Sequence, residues 1–149
     1  MISKSIIDTD FPKVSPLALV EQAARCMRDN HLHALPVVEG NRFRGIIACE
    51  DLVYRGIADG EDWFLARVEH YMTSDPDIAL VTDGVATVHS AMRAGQHRWL
   101  PVIKANEEYQ GVVRLEPLEK ELRRRESSLP KANFGSPTST SLAVVGSNK

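Results

Sequence analysis

The chain has 149 residues and a mass of 16.6 kDa, enough for one ordinary domain or two very small ones. Apolar residues make up 43% and charged residues 26%, which is typical of a globular chain and excludes an acidic disordered one. The net charge of −2 gives no support for nucleic-acid binding. Two cysteines are too few for a disulfide framework, which is typical of a protein in a reducing compartment. No apolar run approaches the roughly 20 residues of a membrane span. We therefore expect a cytoplasmic protein without membrane contact.

The first predicted elements form a unit of helices and strands. Ser15 and Pro16 predict a helix start, with the serine as N-cap. The helical spacing of the apolar residues that follow predicts one buried face, made of Leu17, Val20, Ala23, Ala24 and Met27. Residues 35–39 and 42–48 then predict two strands, and residues 50–56 a short helix.

The second half of the chain predicts the same order of elements. Residues 62–71 predict a linking helix, residues 78–81 a strand, and Asp83 the N-cap of the next helix. The remaining elements follow in register: a helix at 85–95, strands at 100–104 and 109–114, and a helix that begins at 116.

An internal repeat connects the two halves. Residues 35–38 (Leu-Pro-Val-Val) recur 65 positions later as residues 100–103 (Leu-Pro-Val-Ile), and Gly45-Ile46-Ile47 recurs 66 positions later as Gly111-Val112-Val113. Each copy predicts a β-α-β-β-α unit whose small sheet has one face covered by helices and one face bare. A unit of this size has only marginal stability on its own. We therefore predict an α/β (α+β) fold in which two such repeats pack sheet to sheet with pseudo-twofold symmetry.

The predicted domain organisation has four parts. The first repeat occupies residues 1–60, the linking helix lies within 61–72, and the second repeat occupies 73–125. Residues 126–149 are rich in Ser, Thr, Gly and Pro, which predicts a flexible tail.

This order of pieces resembles a cystathionine β-synthase (CBS) domain pair, also called a Bateman module. Each copy has a helix ending at Met27 or Met92, a Leu-Pro-Val strand, a polar turn, and a Gly-apolar-apolar strand that runs into a short helix. Residues 68–73 (Val-Glu-His-Tyr-Met-Thr) also resemble the segment that opens a second copy, and the resemblance covers about residues 4–125. It implies a non-catalytic regulatory module, without a required cofactor, that senses AMP, ADP, ATP or S-adenosylmethionine and forms a homodimer.

The resemblance also implies one ribose site. The family's ligand motif runs Gly, two apolar residues, Ser or Thr, two variable residues and Asp, and the aspartate accepts both ribose hydroxyls. Here Asp51 occupies the acidic position of the first copy, while Ala48 replaces the hydroxyl residue. The second copy has Arg114 and Pro117 at these two positions, which disables it for ribose.

Further site residues follow from the same resemblance. Ile46 and Ile47 would flank the ring system, and Ser74 with the backbone of Ile78 and Ala79 would read the adenine edge. Cationic side chains stand where the family contacts phosphate: His33, His97 and Arg98.

Simpler interpretations stay open. Asp51 is at a position where a carboxylate could simply cap a helix N-terminus. His33 and Arg98 could be solvated loop residues without a ligand. Trp99 could pack in the core or an interface instead of stacking on a base. His31 and His33 lack a third partner at usable spacing, so no metal site is predicted.

The alternative function is a ligand-free CBS module for dimerisation and protein docking, with a regulated partner that the sequence does not name. The absence of a ligand-motif residue at Ala48 and Pro117 favours it. The resemblance places the dimer surfaces on the short helices at 50–56 and 116–125, with apolar contacts from Leu52, Val53, Leu118 and Leu122.

Overall fold

Two antiparallel hairpins, one in each half of the chain, organise the fold. In the computed structural model, which describes residues 1–127, β2 (Ala34–Glu39) pairs with β3 (Arg42–Ala48). The second half repeats this with β5 (Trp99–Ile103) and β6 (Tyr109–Arg114). Both hairpins shift register at the same place in the repeat, between Val37 and Val38 and between Val102 and Ile103.

Helices flank each hairpin on one side. The first repeat has α1 (Val20–Asn30) and α2 (Cys49–Asp51), and the latter continues as a π-helical segment over Leu52–Ile57. The second repeat has α4 (Val85–Ala94) and α5 (Leu115–Ser127). The short elements are β1 (Ile7–Asp8), α3 (Val68–Tyr71) and β4 (Ala79–Leu80), with 3-10 turns at Lys4–Ile6 and Trp63–Leu65.

The segment that leads into each repeat pairs with the hairpin of the other repeat. β1 runs antiparallel to β6, with Asp8 opposite Val112, and Thr73 pairs in the same way with Ile46 of β3. One sheet therefore has the order β1-β6-β5-β4, while the β2-β3 sheet is extended by isolated bridges to Val14, Thr73 and Glu108. This exchange joins the two repeats through backbone hydrogen bonds as well as through packing.

Each repeat has its own apolar core between hairpin and helices. The first core contains Val20, Ala23, Met27, Leu35, Val37, Ile47, Val68 and Tyr71. The second contains Ile2, Ala79, Val85, Val88, Met92, Leu100, Val102, Val113 and Leu118. Full burial of one such large aliphatic side chain contributes about 1.5–3 kcal/mol. Because Ile2 belongs to the second core, the N-terminus stabilises the repeat that lies farther along the chain.

The prediction of one linking helix at 62–71 was wrong. A 3-10 turn at Trp63–Leu65 is separated from α3 by extended backbone at Ala66 and Arg67. That backbone is held by the start of the first repeat, because Val20 donates its N–H to the Ala66 carbonyl (2.9 Å) and Val68 donates to that of Ala18 (2.8 Å). A helix through Ala66 would forgo these bonds.

Two predicted helix caps also lie elsewhere. Ser15 Oγ accepts the N–H of Leu17 (3.1 Å) in a turn, and α1 begins only at Val20. Asp83 accepts the N–H of Leu80 (2.9 Å), while Gly84 is the N-cap of α4. Both polar residues serve the turn that precedes the helix rather than the helix itself.

The end of the described chain differs slightly from the prediction. α5 includes Glu126 and Ser127, which the sequence assigned to the tail, and the remaining tail residues lie outside the described part of the protein. Across residues 1–127, none of the helices combines the length and the apolar character needed to cross a bilayer.

Candidate functional site

The two hairpins meet tip to tip through a reciprocal pair of hydrogen bonds. Phe43 donates its N–H to the Glu107 carbonyl (2.9 Å), and Tyr109, its equivalent in the repeat, donates to the Asn41 carbonyl (2.7 Å). The Phe43 and Tyr109 rings lie nearly parallel at 12°, with centroids 6.3 Å apart. This junction fixes the two sheets around the pseudo-twofold axis.

A glycine in each hairpin admits the leading segment of the other repeat. A Cβ atom on Gly45 would lie 2.3 Å from the carbonyl oxygen of Thr73, and one on Gly111 would lie 2.5 Å from that of Asp8. Two clefts result: the first cleft, between β3 and residues 73–79, and the second cleft, between β6 and residues 8–14. The glycine of the sequence motif therefore serves the backbone crossing that forms each cleft.

Asp51 lies half-buried at the β3–α2 junction, at one end of the first cleft. Its Oδ2 accepts the N–H of Ala48 (2.9 Å), so one oxygen has the capping role that the sequence left open. Within residues 1–127 the other oxygen, Oδ1, has no hydrogen-bond partner. One carboxylate oxygen is therefore free to accept a ligand hydroxyl.

The other end of the first cleft contains a cavity of about 270 Å³. Ser74 and Ile78 line it, as do Arg42 and Arg44 of β3. Both guanidinium groups form ion pairs, Arg44 with Glu39 and Arg42 with Glu107. Asp51 does not line this cavity, and Arg44, the lining residue of β3 that lies nearest to it along the strand, precedes Ala48 by four positions, or roughly 13 Å of extended chain.

The three cationic residues of the predicted site differ in their partners. His97 Nε2 lies 2.8 Å from Asp77 Oδ2, which attaches it to the segment bordering the first cleft. The side chains of His33 and Arg98 are exposed and make no polar contact with any part of residues 1–127. Their carbonyls accept the N–H groups of Cys49 and Leu115, both at 2.8 Å. His33 and Arg98 thus occupy equivalent positions in the repeat, and both side chains are available to a ligand.

The structure separates the apolar residues that were predicted to flank the ring. Ile46 is half-buried, and its backbone pairs with Thr73 in both directions (2.8 and 3.0 Å). Ile47 is fully buried in the first core, because alternate residues of a strand point to opposite faces. Ala79 is likewise fully buried in the second core. Of these residues, Ile46 has its side chain on the cleft face, whereas the side chain of Ile47 lies in the first core.

Side chains of the protein itself occupy the second cleft. Phe11 is buried and packs on Trp99 with centroids 4.8 Å apart, and the Arg114 guanidinium lies 5.1 Å from the Phe11 ring centre. Arg114 also forms an ion pair with Asp8 at 3.2 Å. Packing was one of the two predicted roles of Trp99, whereas Phe11 was not predicted; its equivalent in the second repeat is Pro76.

The equivalent positions in the first cleft are small. Ala34 and Ala48 face each other across the β2–β3 pair in the register that Trp99 and Arg114 occupy across β5–β6. Pro76 stands in place of Phe11. The first cleft therefore lacks the three large side chains that occupy the second, which is why the two clefts are not chemically equivalent.

The family model of the CBS domain matches residues 3–57 and 68–116. The chain belongs to the CBS domain family. CBS domain pairs are generally regulatory and non-catalytic. A curated relative, the CBS domain-containing protein CBSCBSPB3 of Arabidopsis thaliana, is 31% identical over 102 residues, which cover 66% of this chain and 18% of that protein. The chain therefore spans less than a fifth of that relative.

Solved structures confirm the predicted α+β fold of a CBS pair. A CBS domain pair/ACT domain protein of Thermotoga maritima superposes with a TM-score of 0.70 at 22% identity, covering 84% of this chain and 98% of that one. CBSX2 of Arabidopsis thaliana, solved in complex with AMP, gives 0.67 at 16% identity, with coverages of 83% and 96%. At these identities the likeness concerns the fold alone.

Proposed function

We propose that this protein is a regulatory CBS pair, not an enzyme, that binds one adenine nucleotide per chain in the first cleft. The candidate ligands are AMP, ADP, ATP and S-adenosylmethionine. The observation that carries the proposal is the difference between the clefts: Phe11, Trp99 and Arg114 fill the second, while their counterparts in the first are small. The AMP complex of CBSX2 supports the same ligand class.

The residues of the first cleft have distinct roles in this proposal. The free oxygen of Asp51 accepts ribose hydroxyls, Ile46 packs on the base, and Ser74 with the backbone at Ile78 contacts the adenine edge. The exposed side chains of His33 and Arg98, together with His97, contact the phosphates in this proposal. Ligand binding would join residues of both repeats, and it would signal through a difference in affinity between their orientations.

The test is a thermal shift and calorimetric titration with AMP, ADP, ATP and S-adenosylmethionine. A native state that binds one ligand at a hundredfold excess over Kd gains about 2.7 kcal/mol, which raises Tm by about 5–10 °C in a chain of this size. Asp51→Ala should remove the shift, whereas Pro117→Ala, at the equivalent position of the second repeat, should leave it unchanged. No shift with any of the four ligands, or equal binding by Asp51→Ala, would contradict the proposal.

The alternative function, a ligand-free dimerisation and docking module, is favoured by one observation. The Asp51 carboxylate already has a structural partner in the Ala48 N–H, so it needs no ligand to explain it. A protein that shows no nucleotide-dependent shift but forms a dimer would support this alternative. In either case we expect a homodimer that acts on a second, regulated protein in the cytoplasm, where both free cysteines would stay reduced.

A further inference from the structure

Tyr71, the last residue of α3, is held at two points by the segment that follows α2. Its main-chain carbonyl accepts a hydrogen bond from Nη1 of Arg55 (3.0 Å), and the same nitrogen donates to the carbonyl of Met72 (3.3 Å). Its phenol hydroxyl donates to Oε1 of Glu61 (2.9 Å). The Tyr71 ring is buried in the close-packed first core. We call Arg55, Glu61 and Tyr71 the clamp.

The clamp is built on backbone that departs from α-helical geometry. Arg55 lies in the π-helical segment Leu52–Ile57, and Ala58 donates its N–H to the carbonyl five residues before it (2.8 Å). Glu61 donates its N–H to the carbonyl of Gly56 (3.1 Å), so it is attached to the same segment. π-Helical turns are rare, and they occur frequently at functional sites.

The clamp leads directly into the wall of the first cleft. Two residues after Tyr71, Thr73 exchanges backbone hydrogen bonds with Ile46 (2.8 and 3.0 Å), and the next residue, Ser74, lines the cavity of that cleft. The two segments touch at this crossing, because a Cβ on Gly45 would lie 2.3 Å from the Thr73 carbonyl oxygen. The position of Tyr71 therefore affects the side chain that the proposed function places on the adenine edge.

Among residues 1–127, the second repeat has no equivalent of the clamp. Arg55 corresponds, 66 positions later, to Glu121, which pairs with two arginines of its own helix. Tyr71 corresponds, 65 positions earlier, to Ile6, whose side chain has no hydroxyl. The second cleft is also the one that side chains of the protein fill. The clamp therefore accompanies the cleft that is proposed to bind a ligand.

We infer that Arg55 is a positioning residue of the first cleft, which couples the cleft to the π-helical segment at the protein surface. The inference rests on the proposed function and adds a route by which the ligand signal leaves the site. Arg55 is exposed and does not line the cavity, so it acts through Tyr71 rather than on the nucleotide. Coupling is reciprocal, so a nucleotide that orders Ser74 should stabilise the clamp, and loss of the clamp should weaken nucleotide binding.

Isothermal titration calorimetry of three variants tests the coupling, with AMP, ADP, ATP and S-adenosylmethionine as probes. Arg55→Met removes the hydrogen-bond donors and keeps an apolar stem, and it should weaken binding at least about fivefold, the lower end of ordinary coupling between sites. Arg55→Lys keeps a cationic donor and should recover part of that loss. Arg25→Met, which removes an exposed ion pair with Glu21 on α1, should bind like the parent protein.

Comparison of Kd with Tm separates positioning from a role in stability alone. Titrations run well below the Tm of every variant leave each one folded, so a residue that only stabilises the fold would lower Tm without changing Kd. Tyr71→Phe is a second variant, because its ring still fills the first core while the hydrogen bond to Glu61 is lost, and it should also weaken binding. Parent affinity in either Arg55→Met or Tyr71→Phe would overturn the inference.

Amide hydrogen exchange of the parent protein gives a readout that needs no substitution. Saturating nucleotide should slow exchange of the Ala58 and Glu61 amides at least about fivefold, whereas the amide of Arg124, the equivalent of Ala58 in α5, should change less. A parent protein that binds nucleotide without this difference would contradict the coupling and leave the ligand site established. A parent protein that binds none of the four probes would contradict the proposed function, and the coupling with it.

Discussion

Gly45 lies against the backbone of Thr73 so closely that a Cβ atom would stand 2.3 Å from the Thr73 carbonyl oxygen. The contact allows Ile46 and Thr73 to exchange two backbone hydrogen bonds between the repeats. We therefore expect Gly45→Ala to force these segments apart and to reduce the free energy of unfolding by about 2–4 kcal/mol. Urea denaturation followed by circular dichroism measures the change.

The repeat supplies matched comparisons for this variant. Gly111→Ala should destabilise the protein similarly, because its Cβ would lie 2.5 Å from the Asp8 carbonyl oxygen. Gly84→Ala should cost less than about 1 kcal/mol, the loss of glycine as the N-cap of α4, since the nearest atom to its new Cβ is Thr87 Oγ1 at 3.8 Å. Equal stability of Gly45→Ala and Gly84→Ala would contradict a structural role for the crossing.

Exchange of residues between the two clefts tests which side chains decide ligand binding. Ala48→Arg gives the first cleft the residue that the second has at this position, Arg114, so nucleotide binding should be lost while the fold is retained. Ala48→Thr supplies the hydroxyl of the family motif, and one added hydrogen bond of about 0.5–1.5 kcal/mol should tighten Kd two- to tenfold. Isothermal titration calorimetry measures both effects.

Arg114→Ala is the control for the reverse exchange. Its guanidinium lies over Phe11 and pairs with Asp8, away from the first cleft. Nucleotide affinity should therefore stay at the parent value, although stability falls. Unchanged binding in Ala48→Arg would place the ligand somewhere other than the first cleft.

Phe11 gives a separate prediction about the second cleft. Its ring is buried against Trp99, so Phe11→Ala should create a cavity and cost about 3–5 kcal/mol of stability. The stoichiometry of nucleotide binding should remain one per chain, because Pro117 still replaces the ribose-binding aspartate. A second equivalent of bound nucleotide in this variant would show that side-chain packing alone had blocked the site.

The fold was largely predictable because the repeat provides two independent samples of one pattern. Apolar periodicity predicts helices α1 and α4 and the strands of both hairpins. The same pattern occurs at equivalent positions of both repeats, so each repeat supports the prediction made for the other. The linking segment occurs once and has no second sample. Its backbone forms hydrogen bonds with Ala18 and Val20, which are distant in the sequence. Helix propensity reflects neighbouring residues only, so it could not predict these hydrogen bonds.

The candidate site was predictable only through residue types. Ala48 and Asp51 were identified from the motif, but the hydrogen bond between them depends on the turn into α2. The burial of the Ile47 side chain in the first core could not be predicted from the motif, because the face to which a strand residue points depends on which side of the sheet the helices cover. The filled second cleft required Phe11, which no family motif marks and which only the register with Pro76 could have indicated.

The last prediction concerns acid sensitivity of α5. Hydrogen bonds from Arg124 (2.6 Å) and Arg125 (2.9 Å) lower the pKa of Glu121 to about 2. A carboxyl whose pKa is depressed in the folded state stabilises that state above its unfolded pKa, and the stabilisation is lost as pH falls toward the folded value. Glu121→Gln should therefore lower Tm at pH 7, and its difference from the parent should shrink between pH 5 and pH 2.

Glu116→Gln on the same helix is the matched control, because Glu116 has no hydrogen bond or ion pair to any residue among 1–127. Its Tm should follow that of the parent protein across this pH range. Carboxyl chemical shifts in NMR spectra provide a direct check, with the Glu121 carboxyl titrating well below the ordinary range of a glutamate. A Glu121→Gln variant whose Tm difference is constant from pH 7 to pH 2 would show that loss of the side chain's packing, and not its ionised pairing, accounts for the effect.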